Sequence, residues 1–226
     1  MVISNYGEAV YMNKSDKLYV YLLRHGKPDY PNNGMIYYGA TDYPLSEEGR
    51  LQAERVHRDL EKIHFDAVFS SPMTRCRQTT EIVFPHMAEQ VEFVDGFREI
   101  SFGSWEGKTF DEVRDEWDSV YGVPGRDFAH SAPPGGETLC EVQERAVSAL
   151  ESILSRCKSG NIAISAHNGV MYSIISRYFM IPLENCFSFN ADYCGIHIFS
   201  VSEGFFKLIR FNWNSDIENR SLGGIN

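Results

Sequence analysis

Three segments of the chain end apolar runs on residues that can attack or grip an anion. Arg24-His25-Gly26 directly follows the β-branched and aromatic run 17–23. An arginine offers a forked pair of donors to an oxyanion, and an imidazole offers a nucleophilic nitrogen. Gly26 lets the backbone turn sharply and approach a ligand closely. Ser70-Ser71-Pro72-Met73-Thr74-Arg75 closes a second run, 65–70, and predicts a helix start with Pro72 in its first turn. Exposed amides at such a start favour anions, and Arg75 strengthens that preference. Ala166-His167-Asn168-Gly169 repeats the pattern after the run 161–166. There an imidazole, cationic or acting as a donor, joins the amides of another helix start, with Asn168 as a further polar candidate. Glu99 stands between Arg98 and Ile100, with Phe102 and Trp105 close behind. Apolar neighbours raise a carboxyl pKa, which a general acid working near neutral pH requires. Taken singly, each has an ordinary reading: a hydrogen-bonded histidine, a surface arginine, a surface acid.

The elements that would position these residues alternate. The runs 17–23, 65–70 and 161–166 read as buried strands, and 26–44 as a long loop rich in Gly, Pro, Asn and Tyr. A helix begins at Leu45-Ser46-Glu47-Glu48 with Ser46 as N-cap, and another runs from Pro72 to about Phe84. Residues 91–107 read as short extended pieces, 109–121 and 137–158 as helices, and 168–180 as an apolar helix. The tail from Cys186 to Trp213 alternates well enough for two more strands. Strands alternating with helices predict an α/β fold, a three-layer α/β/α sandwich around a mostly parallel, doubly wound sheet with helices on both faces. Ligands of such folds sit outside the carboxyl ends of the strands, where these three segments fall. Residues 1–226 read as one domain, with 103–136 a helical cover over the site.

Composition narrows the class. The 226 residues carry a net charge of −10, from 21 basic and 31 acidic side chains. That balance argues against nucleic acid or an anionic membrane as partner, so a bound anion must be held by a local cluster of cations. Five cysteines without a Cys-x-x-Cys pair read as reduced thiols of a cytoplasmic protein. No stretch approaches the ~18 uninterrupted apolar residues of a membrane span, and the start shows no secretory leader.

The four constellations together resemble the histidine phosphatase superfamily, also called phosphoglycerate mutase-like, over roughly residues 18–180. Its Arg-His-Gly is Arg24-His25-Gly26, and its Gly-x-x-Asp-x-Pro-Leu-Ser-x-x-Gly is the stretch Gly39 to Gly49. Its arginine element runs from Ser71 through Arg75 to Gln78-Thr79, and its acidic element from Arg98-Glu99 to Trp105-Glu106-Gly107. Gly136-Glu137-Thr138, assigned to helix initiation and not to substrate contact, and His167 complete the order. The resemblance implies a phosphatase of small phosphorylated metabolites, with His25 as phosphorylated nucleophile. It assigns Arg24, Arg75 and His167 to the phosphoryl oxygens and Glu99 to proton donation, with no metal or cofactor.

Departures matter too. The family's asparagine seven positions after the first arginine would fall at Pro31, so Asn32 is the candidate for that phosphate contact. The tail Asn212-Trp213-Asn214-Ser215-Asp216-Ile217 lacks the histidine many relatives carry. Mutases carry paired arginines after the acid, whereas Lys108, Arg114 and Arg126 are scattered here; water is therefore the expected acceptor. Within the family the chain looks most like the alpha-ribazole and broad-specificity phosphatase branches. Trp105, Phe110, Trp117, Tyr121 and Phe128, with Tyr30, Tyr37, Tyr38 and Tyr43 of the early loop, read mostly as packing, some of them as candidates for a wall around an apolar or aromatic leaving group, with His130 within reach of it. A mutase, a phospholigand-binding protein without turnover, and a zinc protein using His25, His167 and Cys194 or His197 are the competing readings.

Overall fold

The computed structural model describes residues 17–31, 36–121, 129–188 and 191–215. Among the described residues six strands and five α-helices follow one another as β1 (Leu18–Arg24), α1 (Glu47–Leu60), β2 (Ala67–Ser70), α2 (Thr74–Val83), β3 (Glu92–Phe93), α3 (Phe110–Tyr121), α4 (Leu139–Arg156), β4 (Gly160–Ala166), α5 (Asn168–Phe179), β5 (Ile196–Ser202) and β6 (Phe205–Trp213). The sheet order is β3-β2-β4-β1-β5-β6. The first four are mutually parallel, while β5 runs antiparallel to β1 and β6 antiparallel to β5. The expected α/β sandwich is therefore present.

Alternation along the strands sorts the core into two layers. Leu18, Val20, Leu22, Ile162 and Ile164 join one cluster with Val142, Ala146 and Leu150 of α4 and Val170 and Ile174 of α5. Leu23, Val68 and Ala163 join the other with Ala53 and Val56 of α1 and Val83 of α2. Each face of the sheet is thus covered by one helix pair, as doubly wound parallel sheets require. A third, smaller cluster of Tyr37, Trp105 and Val113 anchors α3.

Local signals account for the starts of α1 and α4. Ser46 caps α1 by accepting from Gly49 N. Thr138 and Glu141 form a reciprocal capping box at α4, which accounts for Gly136-Glu137-Thr138 as a helix opening. Two expectations need correction. Pro72 precedes α2 instead of lying in its first turn: Met73 is the N-cap, and the Asp42 carboxylate accepts from Thr74 N at 2.8 Å. Residues 91–107 contain only the two-residue β3; the rest bends through 3₁₀ turns at Asp95–Phe97 and Gly103–Trp105. Among the described residues no helix is long and apolar enough to cross a membrane.

Candidate active site

Strand register brings the key residues to one line. Arg24 pairs with Ala166, and Ser70 with Ser165, so β1, β4 and β2 end level. Backbone bonds carry that alignment one step further, His25 N donating to Ala166 O and Ser71 N to Ser165 O. His25, His167 and Ser71 consequently emerge side by side above the sheet. The two imidazoles lie 5.0 Å apart between ring centroids. Gly26 is needed because α1 packs against it: a β-carbon there would run into the carbonyl of Gly49.

His25 Nδ1 lies 2.7 Å from Gly26 O. A carbonyl only accepts, so Nδ1 carries the proton and Nε2 holds the lone pair. Burial, followed by the charges of Arg75 and Arg24, pushes the His25 pKa well below its usual value. The ring is neutral at physiological pH.

Arg75, from the first turn of α2, is fully buried. Its Nε donates to His167 Nδ1 at 3.2 Å, Nη1 to Thr41 O at 3.0 Å and Nη2 to Gly39 O at 2.8 Å. His167 Nε2 then carries its proton and donates to Ser71 Oγ at 2.8 Å. Burial and the Arg75 charge hold the His167 pKa well below its usual range, so of the two forms considered from the sequence the uncharged donor is the one present. Arg24 donates through Nη1 to Ala191 O, and its guanidinium lies 4.0 Å over the Tyr193 ring. Its Nε is buried without a protein acceptor.

Glu99 approaches from a different direction. One oxygen accepts from Ile100 N at 2.9 Å and the other from Gly169 N, in the first turn of α5, at 3.3 Å. Amides therefore hold this carboxylate, not the apolar enclosure suggested by its sequence neighbours. Arg145 of α4 fixes the backbone around it, donating to Gly96 O, Arg98 O and Glu99 O while paired with Glu137 at 2.9 Å. Asn168 begins α5 with a buried side-chain oxygen lacking a partner. Asn32 lies outside the described residues.

Several supporting residues escaped the sequence reading. Glu106 accepts from Gly39, Ala40 and Thr41 amides, from the Thr41 hydroxyl at 2.6 Å and from Phe102 N. It thereby holds the loop whose carbonyls receive Arg75. Cys76 stands 3.4 Å from His167 Nε2, with burial pushing its thiol up to about 12, so it is a neutral neighbour. The anion at the start of α2 is Asp42 of the chain itself, which takes the amide expected to face a ligand. His130 is exposed, its Nδ1 3.3 Å from Cys140 Sγ. Tyr37 packs with Trp105, Phe110 and Trp117, whereas Tyr30 and Tyr38 both reach Tyr193. No group of three His, Cys, Asp or Glu side chains among the described residues is placed to hold a metal ion.

A buried pair of neutral imidazoles, acted on by the charges of two arginines, thus stands at the carboxyl ends of the parallel strands. The model of the histidine phosphatase superfamily (branch 1) matches residues 20–214, and the chain belongs to that superfamily. It is 27% identical over 173 residues to the adenosylcobalamin/alpha-ribazole phosphatase of Escherichia coli K12, covering 76% of this chain and 85% of that protein. Phosphoserine phosphatase 1 of Hydrogenobacter thermophilus is 27% identical over 180 residues, covering 78% of this chain and 85% of that protein. The structure of YhfR from Bacillus stearothermophilus superposes with a TM-score of 0.78 at 31% identity, covering 88% of this chain and 99% of that one.

Proposed function

We propose that the protein hydrolyses small phosphomonoesters through a phosphohistidine on His25, without a resident metal. The observation that carries this reading is the fixed tautomer of His25, which leaves the Nε2 lone pair free on a ring within the field of Arg75 and Arg24. Nε2 attacks phosphorus, the bond to the ester oxygen breaks, and Glu99 in its acid form gives that oxygen its proton. Water then attacks phosphorus, its proton passes to the Glu99 carboxylate, and the phosphorus–nitrogen bond breaks to release phosphate and neutral His25. Arg24 and Arg75 match the phosphoryl charge throughout, which is the electrostatic task a metal performs elsewhere. His167 donates to the same oxygens once its N–H leaves Ser71, and the incoming dianion offsets the arginine charges that keep the ring neutral.

A small phosphate ester is the substrate class this reading supports. Glu99 lines a cleft of about 250 Å³ with Ala40, Met73, Arg98, Ser101 and Glu137, a lining that does not include His25 or His167. Relatives bearing phosphatase names support the same substrate class. The scattered basic residues after Glu99 favour water over a second phosphorylated acceptor. The α3 region, packed through Trp105 and Trp117 onto Tyr37, serves as the cover of the site within a single domain. With a net charge of −10, nucleic acid is not a partner, and cytoplasmic metabolites are the expected substrates.

Release of phosphate from p-nitrophenyl phosphate in excess chelator, wild type beside His25→Ala, tests the reading. Activity in the first and its loss in the second is expected, with acid-labile label trapped on His25 in quenched reactions. Equal rates in the two proteins, or label on serine or carboxylate, would overturn it.

A further inference from the structure

Resting on the reading that Arg24 grips the phosphoryl group, we propose that Tyr193 is a positioning residue that presents the Arg24 guanidinium to that group. A long arginine side chain at the end of a strand has many rotamers, and each one lost on binding weakens affinity. Here one turn removes that freedom beforehand. Its Ala191 carbonyl takes Nη1, and its Tyr193 ring lies against the guanidinium face at 4.0 Å. The buried Nε is left without a protein acceptor. A buried donor in that state is destabilising until it meets an acceptor, which an oxyanion supplies. The same ring stands 5.7 Å from that of His25, so the nucleophile and the held arginine share one aromatic neighbour.

The turn is itself tied down. Cys194 N donates to His25 O, and Arg24 N to Gly195 O, fastening the turn to the end of β1. Asn212 brackets Asp192, accepting from its amide at 2.8 Å and donating to its carboxylate at 3.1 Å, while Asn214 donates to Cys194 O. Cys194 is held at φ +58°, a conformation that a non-glycine residue keeps only when its surroundings impose it. At the far end of the ring, the Tyr193 hydroxyl lies 2.7 Å from those of both Tyr30 and Tyr38. One hydroxyl donates once and accepts from the other side, so the three form a directed chain. Burial raises the pKa of Tyr38 and Tyr193, keeping both protonated as that chain requires. Tyr193 is therefore fixed by the turn at its backbone and by two loop tyrosines at its hydroxyl.

Calorimetric titration with inorganic phosphate, together with kcat and KM for p-nitrophenyl phosphate, tests the assignment. A cation–π contact away from bulk water corresponds to roughly a ten-fold effect. Tyr193→Leu is expected to raise the phosphate Kd and the KM about ten-fold, and Tyr193→Trp, which keeps a ring there, to restore both to within about two-fold. A purely structural loss would reduce the number of competent molecules and kcat while leaving Kd unchanged. In an Arg24→Met background, Tyr193→Leu is expected to add no further change. Wild-type Kd in Tyr193→Leu, or an undiminished effect without Arg24, overturns the inference. Wild-type Kd in Arg24→Met alone would instead overturn the reading of the phosphate site. Should Tyr193→Leu fail to fold, the double variant Tyr30→Phe/Tyr38→Phe unties the hydroxyl while keeping the ring. Its Kd should rise about three-fold, and an unchanged Kd there overturns the inference equally.

Discussion

Arg75 Nε donates to His167 Nδ1 across 3.2 Å in the interior of the protein. Such a bond exists only while Nδ1 is unprotonated, so the arginine selects the neutral imidazole. The same guanidinium acts on His25, whose ring is likewise held neutral. A histidine phosphatase gains from this arrangement, because a protonated His25 has no lone pair with which to attack.

The first prediction concerns the acid limb of activity. The His25 pKa is lowered from its usual value of about 6.5. The nucleophile therefore stays competent as pH falls through 6.5 and loses its lone pair only below that value. For p-nitrophenyl phosphate, kcat/KM at pH 6.5 should remain above half its value at pH 7.5. A loss of activity centred at pH 7 or higher would contradict the neutral pair.

Stability should carry the opposite face of the same effect. His25, His167 and His197 are buried and neutral when folded, with burial alone pushing His197 down to about 4. Unfolded, each takes up a proton as pH drops through about 6.5. Their contribution is complete above 6.5 and is lost as pH falls toward the folded pKa. Each such group steepens the decline by up to about 1.4 kcal/mol per pH unit. Urea unfolding of His197→Phe between pH 6 and 5 should show a slope shallower than wild type by about that amount. Equal slopes would mean that His197 is not held neutral.

Glu106→Gln tests the support beneath Arg75. The carboxylate accepts from three successive amides and a hydroxyl, and a carboxamide would turn an NH₂ toward one of those donors. Hydrogen bonds to charged groups contribute about 1.5–3 kcal/mol each. A destabilisation of about 2–3 kcal/mol is expected, and at ~2–4 °C per kcal/mol the melting temperature should drop by roughly 4–12 °C. Because Gly39 O and Thr41 O would shift with the loop, KM should rise as well. A melting temperature within one or two degrees of wild type, about the error of such a comparison, would show that the loop stands without Glu106.

How much of this was readable in advance follows from the range of each interaction. Buried parallel strands are continuous apolar runs, so Leu18–Arg24, Ala67–Ser70 and Gly160–Ala166 announced themselves, together with the polar residues that end them. Ser46 and Thr138 were legible because a cap is local. Pro72 misled because the residue that fixes the start of α2 is Asp42, 32 positions away from Thr74. Glu106 reaches Gly39 over 67 positions, and Arg145 reaches Glu99 over 46. Tyr193 meets Arg24 from a turn beyond α5. No spacing rule marks such partners; they become visible only once the sheet register has brought distant ends together.

The last prediction separates the acid from the nucleophile. A β-carbon on Gly169 would sit 2.6 Å from Glu99 Oε1, closer than such atoms approach one another. Gly169→Ala must therefore move the carboxylate, while Arg24 and His25 hang from the end of β1 and Arg75 from α2. An alkoxide needs a proton to leave and p-nitrophenolate scarcely does, so the cost of displacing the acid depends on the ester. Positioned proton transfer contributes about 10²–10⁴-fold. Gly169→Ala and Glu99→Gln should each lower kcat for β-glycerophosphate about 100-fold or more, and for p-nitrophenyl phosphate by roughly ten-fold or less. Equal losses on the two esters would place Glu99 outside the proton-transfer step, because a group that merely shapes the pocket cannot sense the basicity of the oxygen that departs.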